Sequence, residues 1–337
     1  MNQRQLSIPC IPAGIAALLF VLLGTAALAA EGPAALELVQ TIALGGSPGR
    51  LDHLALDAQH SRLFVANLGN NSLDVVNLNA GKLLKHVPDQ NKIQGIAYDP
   101  DLDRIFVGNG GDGVCNALDG RSYKLLHTVK LPGANNVRYD RRTRQVYVGH
   151  AENSLTAFDA KTFEVRATIK LPAAPKAFQI DPTRPRLYVN TTPPSQVVEI
   201  DTGKNEVVAR HPLTAGNFAL ALDPAGRRVF VGCREKPMIV VLDANTGKEV
   251  AGVEVPRDID DLFFDAKRKR LYATCGEGFL VVVREKRGDG YEVIGKISTA
   301  KLARTSLFDP GSGRLYVAMP GQDGGEGPHV RVYQAKP

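Results

Sequence analysis

Residues 219–233 read ALALDPAGRRVFVGC. Four small apolar residues run into Asp223, a short polar stretch follows, and Val229 to Cys233 resumes the apolar pattern. Asp at the first position of a four-residue turn, with Pro next, is what a type I turn favours. The stretch therefore predicts two short strands joined by a tight turn. Beyond it, Met238 to Leu242 is a third strand, Asp243-Ala-Asn-Thr-Gly247 a second turn, and Lys248 to Val255 a fourth strand.

Working outward, the same template returns six more times. The copies are HLALDAQHSRLFVAN, GIAYDPDLDRIFVGN, NVRYDRRTRQVYVGH, FQIDPTRPRLYVNT, LFFDAKRKRLYATC and SLFDPGSGRLYVAM. Their shared aspartates are Asp57, Asp99, Asp140, Asp181, Asp265 and Asp309, and with Asp223 they fall 41 to 44 residues apart. Four short strands at that period are the signature of a β-propeller blade. The expected fold is all-β: a seven-bladed β-propeller of four-stranded antiparallel blades. Strands such as Met238 to Leu242 are apolar throughout rather than alternating, because each blade is covered on both faces by its neighbours.

The seventh copy supplies three strands, at Ser306–Phe308, Leu315–Ala318 and Val330–Tyr333. Residues 36–44, LELVQTIAL, precede the first copy and read as a fourth. They are expected to complete blade 7 and close the ring, which removes an exposed strand edge.

The second strand of the blade carries a recurring motif. Its forms are Phe64-Val-Ala-Asn67, Phe106-Val-Gly-Asn109, Tyr147-Val-Gly-His150, Tyr188-Val-Asn-Thr191, Phe230-Val-Gly-Cys233 and Tyr316-Val-Ala-Met319. In these motifs the chain resembles the YVTN-type, YncE-like propellers over most of its length. The resemblance implies the fold; the defining residues of that group are architectural and imply no particular activity.

The first 30 residues read differently. Arg4 precedes an apolar run from Ile11 to Leu28, and Ala27-Leu28-Ala29 offers a small-residue cleavage site. That is the pattern of a secretory signal peptide. The expected product is a periplasmic or secreted protein with a single propeller domain over residues 31–337 and no membrane span after cleavage. The formal net charge of +6 is modest, and no basic tract with interleaved aromatics marks a nucleic-acid surface. Cys115, Cys233 and Cys275 lie in different blades, so all three are expected as free thiols.

The repeated Asp and the basic residue after it read as a turn device with a nearby surface Arg, since a catalytic pair is needed once and a turn seven times. Function is sought instead where the repeat is broken. Strand A of each blade descends from the face called the top, so residues just before it rim the central channel. Five residues before each template Asp stand Asp52, Gln94, Asn135, Lys176, Phe218, Asp260 and Arg304. Of these, Asp52, Asn135, Lys176, Asp260 and Arg304, with Arg50, His53, Asn217 and Asp261, are the candidate ligand or partner surface, densest across blades 6, 7 and 1, where Asp258 joins them; the alternative is a solvated funnel whose charges pair with each other. These charges were expected to be exposed and to contribute little to stability. The long loop 320–328 should lie beside that sector.

A second ring, Asn67, Asn109, His150, Thr191, Cys233, Cys275 and Met319, follows the YVTN-like motif. His150, Cys233, Cys275 and Met319 are soft donors of the kind copper(I) takes. Strands about 4.8 Å apart put equivalent positions in adjacent blades on the order of 10 Å apart, beyond the roughly 7 Å limit for a disulfide. No metal site is therefore expected there, and no cofactor elsewhere. Gly45-Gly-Ser47-Pro-Gly49 lacks the strand-to-helix elbow of a nucleophilic serine. Gly108 to Gly113 is followed by a strand, not by a phosphate-binding helix.

Three functions are compatible with this reading. The first is a non-enzymatic binding scaffold that engages a protein or other macromolecule through its top face. The second is a lactonase-like hydrolase using an Asp/His/Asn rim with a divalent cation. The third is nucleic-acid binding.

Overall fold

The computed structural model describes residues 35–322 and 324–337, besides Met1. The segment read as a signal peptide lies outside the described residues. Ala34–Pro337 form one compact unit. Seven four-stranded antiparallel sheets follow one another around a ring. In six of them the strands run A, B, C, D in chain order from the channel outward. In the seventh, Ser306–Asp309, Arg314–Met319 and His329–Ala335 are joined by Leu36–Ala43 as the outermost strand. Leu36 pairs with Ala335, Ile42 with Val330 and Ala43 with His329. The ring is closed by its N-terminal strand, as the sequence predicts.

The burial of each strand follows its place in the blade. Strand B of blade 1, Arg62–Asn67, is buried at every position. Strand D of blade 4, Glu206–Pro212, alternates between exposed and half-buried residues at the rim of the ring. Seven apolar clusters lie between blades, one at each junction. The junction between blades 7 and 1 is as complete as the rest: Ile42, Tyr316 and Val330 pack against Leu51, Leu63 and Val65. Each blade thus buries two faces, which is why its inner strands carry unbroken apolar runs.

The turn between strands A and B at the bottom face works as its residues suggest. Asp181 Oδ1 accepts the N–H of Thr183 at 2.8 Å and of Arg184 at 3.1 Å. Asp265 and Asp99 hold their turns in the same way, the local bonding that favours Asp at such positions. The basic residues nearby do more than decorate the surface. Arg62 of blade 1 bonds Asp57 in its own turn and Asp103 and the Gly120 carbonyl in blade 2. Arg104 of blade 2 donates to the carbonyls of Ala160 and Lys161 in blade 3. Arg228 of blade 5 reaches Asp289 of blade 6 at 2.7 Å. Arg270 of blade 6 donates to the carbonyls of Lys336 and Pro337. These arginines tie one blade to the next along the bottom of the ring.

Candidate functional site

The loops that enter strand A and those that leave strand B meet at the top of the channel. Asp258 and Asp260 enter blade 6, and Arg304 enters blade 7. Arg304 lies 2.9 Å from each of these two carboxylates. A second cation, Arg234, follows strand B of blade 5 and lies 3.1 Å from Asp258 and 3.0 Å from Asp260. Its Nη2 makes no aligned hydrogen bond with either, so that contact is ionic. The guanidinium carbon of Arg234 lies 3.3 Å from the centre of the Phe218 ring, and the Lys176 ammonium is 5.3 Å from the same ring. Gly276 leaves room for this arrangement: a Cβ there would stand 2.1 Å from Asp258 Oδ2.

Beside this quartet lies a chain of charges in blade 1. Arg50 Nη2 donates to Asp52 Oδ2 at 2.7 Å. Asp52 Oδ1 accepts the His53 backbone N–H at 3.1 Å and lies 3.6 Å from His53 Nε2. The other ring nitrogen, Nδ1, is 3.3 Å from Asp261 Oδ2, which also accepts the Ser306 N–H at 2.9 Å. An imidazole held between two carboxylates is favoured in its doubly protonated form. Burial opposes that charge, but Asp261 and then Asp52 outweigh it, and the His53 pKa rises to about 9. Burial likewise raises Asp52 to about 6, with His53 and Arg50 pulling the other way.

The expected sector therefore holds two neighbouring sets of paired charges, but it is not the exposed rim read from the sequence. Asp52 is 2 % exposed and Arg304 18 %, while Arg50 alone among the three reaches 43 %. The cluster sits in the throat of the channel, and its inner members are part of the folded core. The expectation that Asp52 and Arg304 are exposed is overturned: Asp52 is buried and Arg304 half-buried. Asn135 is half-buried, and its backbone N–H donates to the Gly149 carbonyl at 2.9 Å. Asn217 is fully buried and lies away from the rim, its Nδ2 donating to Asn190 Oδ1 and the Gln196 carbonyl. The stem of the 320–328 loop is tied to the entrance of blade 1, where the Pro320 and Pro328 carbonyls accept from Gly49 and Leu44.

The second ring is interior packing. His150 Nε2 lies 2.9 Å from Thr156 Oγ1, and burial lowers its pKa. Cys233, Cys275 and Met319 are buried. Cys115, Cys233 and Cys275 are free thiols, each pushed up to about 12, chiefly by burial. Among the described residues no three His, Cys, Asp or Glu side chains gather as a metal site.

Two participants escaped the sequence reading. Arg234 stands one position beyond the second ring, where the other blades place Leu68, Gly110, Ala151, Thr192, Gly276 and Pro320. Arg138 sits inside strand A, two residues before its template Asp, where the others place Ala55, Ala97, Gln179, Ala221, Phe263 and Leu307. A column-by-column search for lone charges would have found both.

The fold defines the class: a seven-bladed β-propeller. No family model matches the chain, and no curated protein matches it. Solved structures do. Hydrazine synthase of Kuenenia stuttgartiensis aligns with a TM-score of 0.71 at 16% identity, covering 82% of this chain and 94% of its own. The structure of U3-55K aligns at 0.74 and 11% identity, covering 89% and 99%. A chain of the mitotic checkpoint complex aligns at 0.73 and 15% identity, covering 100% of both. At these identities the likeness is one of fold. Among the described residues no helix is long and apolar enough to cross a membrane.

Proposed function

We propose that this protein is an exported, non-enzymatic binding module that engages a protein partner through the top face of its ring. One observation carries the reading: the ionisable groups of the top cluster are paired with one another. Asp258 and Asp260 are shared by Arg234 and Arg304, and Asp52 and Asp261 by Arg50 and His53. A general base needs a free lone pair and a metal needs free carboxylates, and this arrangement spares neither. Its outer members, Arg50, Asp258 and Arg234, bring both signs of charge to the mouth of the throat, an arrangement of the kind that sets orientation and partner choice in protein association. The mixed signs fit a row of phosphates less well.

The mitotic checkpoint complex is an assembly in which a similar propeller takes part, in keeping with a scaffold role here. The strand B motifs from Phe64-Val-Ala-Asn67 to Tyr316-Val-Ala-Met319 support a place among the YVTN-type propellers. The apolar run from Ile11 to Leu28 supports export, and the mature N-terminus is expected near Glu31 by mass spectrometry of the exported protein. Site-specific photo-crosslinkers test the face. Probes at positions 50 and 176 should capture a protein partner, and a probe at Arg121 on the bottom should not. Capture at 121 with none at 50 or 176 would place the interface on the wrong side of the ring for this proposal.

A further inference from the structure

Below the charged throat the channel widens into a cavity of about 360 Å³. It runs from His53, Asp261 and Ser306 at the upper end to Asp309 and Pro310 at the bottom turns. Its walls are mixed: Ile96, Phe263, Leu307 and Phe308 are apolar, and Tyr98, Tyr139, Gln179, Ser306 and Asp309 add polar atoms. Two cations line it: His53 at the upper end, already held by Asp261 and Asp52, and Arg138, from the middle of strand A of blade 3. Nη1 of Arg138 donates to its neighbour's carbonyl, Val137 O, at 2.9 Å, and the guanidinium carbon is 5.8 Å from the centre of the Phe178 ring. Among the described residues it forms no ion pair within 4.0 Å. The carboxylate whose field it feels, Asp261, is already bonded to His53 and Ser306.

This is an unusual way to treat a guanidinium. Arg138 is half-buried on the channel wall, and the half-buried Arg234 and Arg304 above it each pair with carboxylates. Burial pushes the Arg138 guanidinium below its ordinary range, and Asp261 opposes that only in part. No packing need explains it either, since the equivalent position in three other blades is alanine. A planar fork with free donors is the group that recognises a carboxylate bidentately. A concave pocket that combines apolar side chains with a few convergent polar groups is the usual form of a small-molecule site, and this volume falls within the range of such sites.

We infer that the channel is a binding site for a small organic carboxylate, whose charged head pairs with Arg138 and whose apolar body fills the space between Ile96, Tyr98, Tyr139 and Phe263. Its upper end shares His53 and Asp261 with the cluster proposed for the top face, whereas Arg138 lies outside that cluster. Isothermal titration of the purified protein tests it with four probes: 3-phenylpropionate, octanoate, the neutral 3-phenylpropionamide and inorganic phosphate. At least one of the two carboxylates should bind with one-to-one stoichiometry. The amide should bind at least tenfold more weakly. A hydrogen bond between charged groups is worth roughly ten- to a hundredfold in affinity, so Arg138→Gln should weaken carboxylate binding by about that factor, and Arg138→Lys should recover part of it.

The ligand-free Arg138→Gln protein should melt at the same temperature as the natural one or higher, because an unpaired charge has been removed. Ala97→Met keeps the guanidinium and fills the cavity, so it should lose octanoate and 3-phenylpropionate alike. The inference is overturned if neither carboxylate binds. It is equally overturned if the amide or phosphate binds as tightly as a carboxylate, or if both variants bind as the natural protein does.

Discussion

At the bottom of the ring Asp57, Asp99, Asp181 and Asp265 each hold a turn of their own blade. At the top, Asp258, Asp260 and Asp261 reach across blade junctions instead, to Arg234, Arg304, His53 and the Ser306 amide. A turn has to be made in every blade, so its residue recurs. A cluster in the throat has to be made once, so its residues appear once. The contrast separates architecture from specificity within a chain whose blades are otherwise copies.

Particular groups on the two faces titrate with opposite sign. At the bottom Asp57, Asp119 and Asp159 are held below the usual range. Ser122 and Thr162 amides lead the effect at Asp119 and Asp159, the latter falling to about 2, while at Asp57 burial is outweighed by Arg62 and His60. Groups with depressed folded pKa values contribute stability above the unfolded value near 3.8, and that contribution is lost as pH falls below it. At the top, both Asp52 and His53 are raised. The folded state therefore binds more protons than the unfolded chain, and the stability it draws from them falls as pH rises. The window for Asp52 runs from 3.8 to about 6, and that for His53 from 6.5 to about 9.

The comparison can be tested most severely where both faces depend on one element. Removing residues 31–45 takes away the outer strand of blade 7 and bares the edge of His329–Ala335. The melting temperature should fall further than with any single substitution, or the protein should aggregate; unchanged melting would refute closure by this strand. Next in size is Arg62→Ala, which strips the guanidinium from the buried Asp57 and leaves it the His60 contacts. A cost of about 3 kcal/mol in denaturant unfolding is expected, with crosslinking at position 50 retained. If crosslinking is lost while stability is kept, the bottom is not merely architectural.

His53→Gln sharpens the pH contrast. The natural protein should lose stability between pH 6.5 and 9, and the variant should show a flatter profile across that window. A profile of unchanged slope would mean that His53 is not the titrating group. The smallest effect on stability is expected from Arg50→Glu. Arg50 is substantially exposed, and such pairs contribute at most about 1 kcal/mol. Capture of a protein partner should nevertheless fall markedly, and full retention would remove Arg50 from the interface.

Much of this was legible in the chain. Asp223-Pro-Ala-Gly226 and its six counterparts announce a turn through local hydrogen bonding. Runs such as Met238 to Leu242 announce a blade buried on both faces, and the recurrence interval counts the blades. The missing fourth strand of blade 7 pointed to Leu36–Ala43. Those features depend on neighbours close in sequence, or on a repeated environment that each copy records again.

The throat depends on neither. That Asp52 is buried and Arg304 half-buried, that Arg234 joins them, and that Asn217 turns away into the interior follow from how loops of different blades converge. Asp261 and His53 are 208 residues apart in the chain, and no local pattern encodes their pairing. Arg138 makes the point most simply. The sequence by itself determined that a cation stands where other blades place Ala, Gln, Phe or Leu. Only the tertiary structure decided that it faces a cavity with no carboxylate to spare, because pairing and solvent access are properties of the closed ring and not of any one blade.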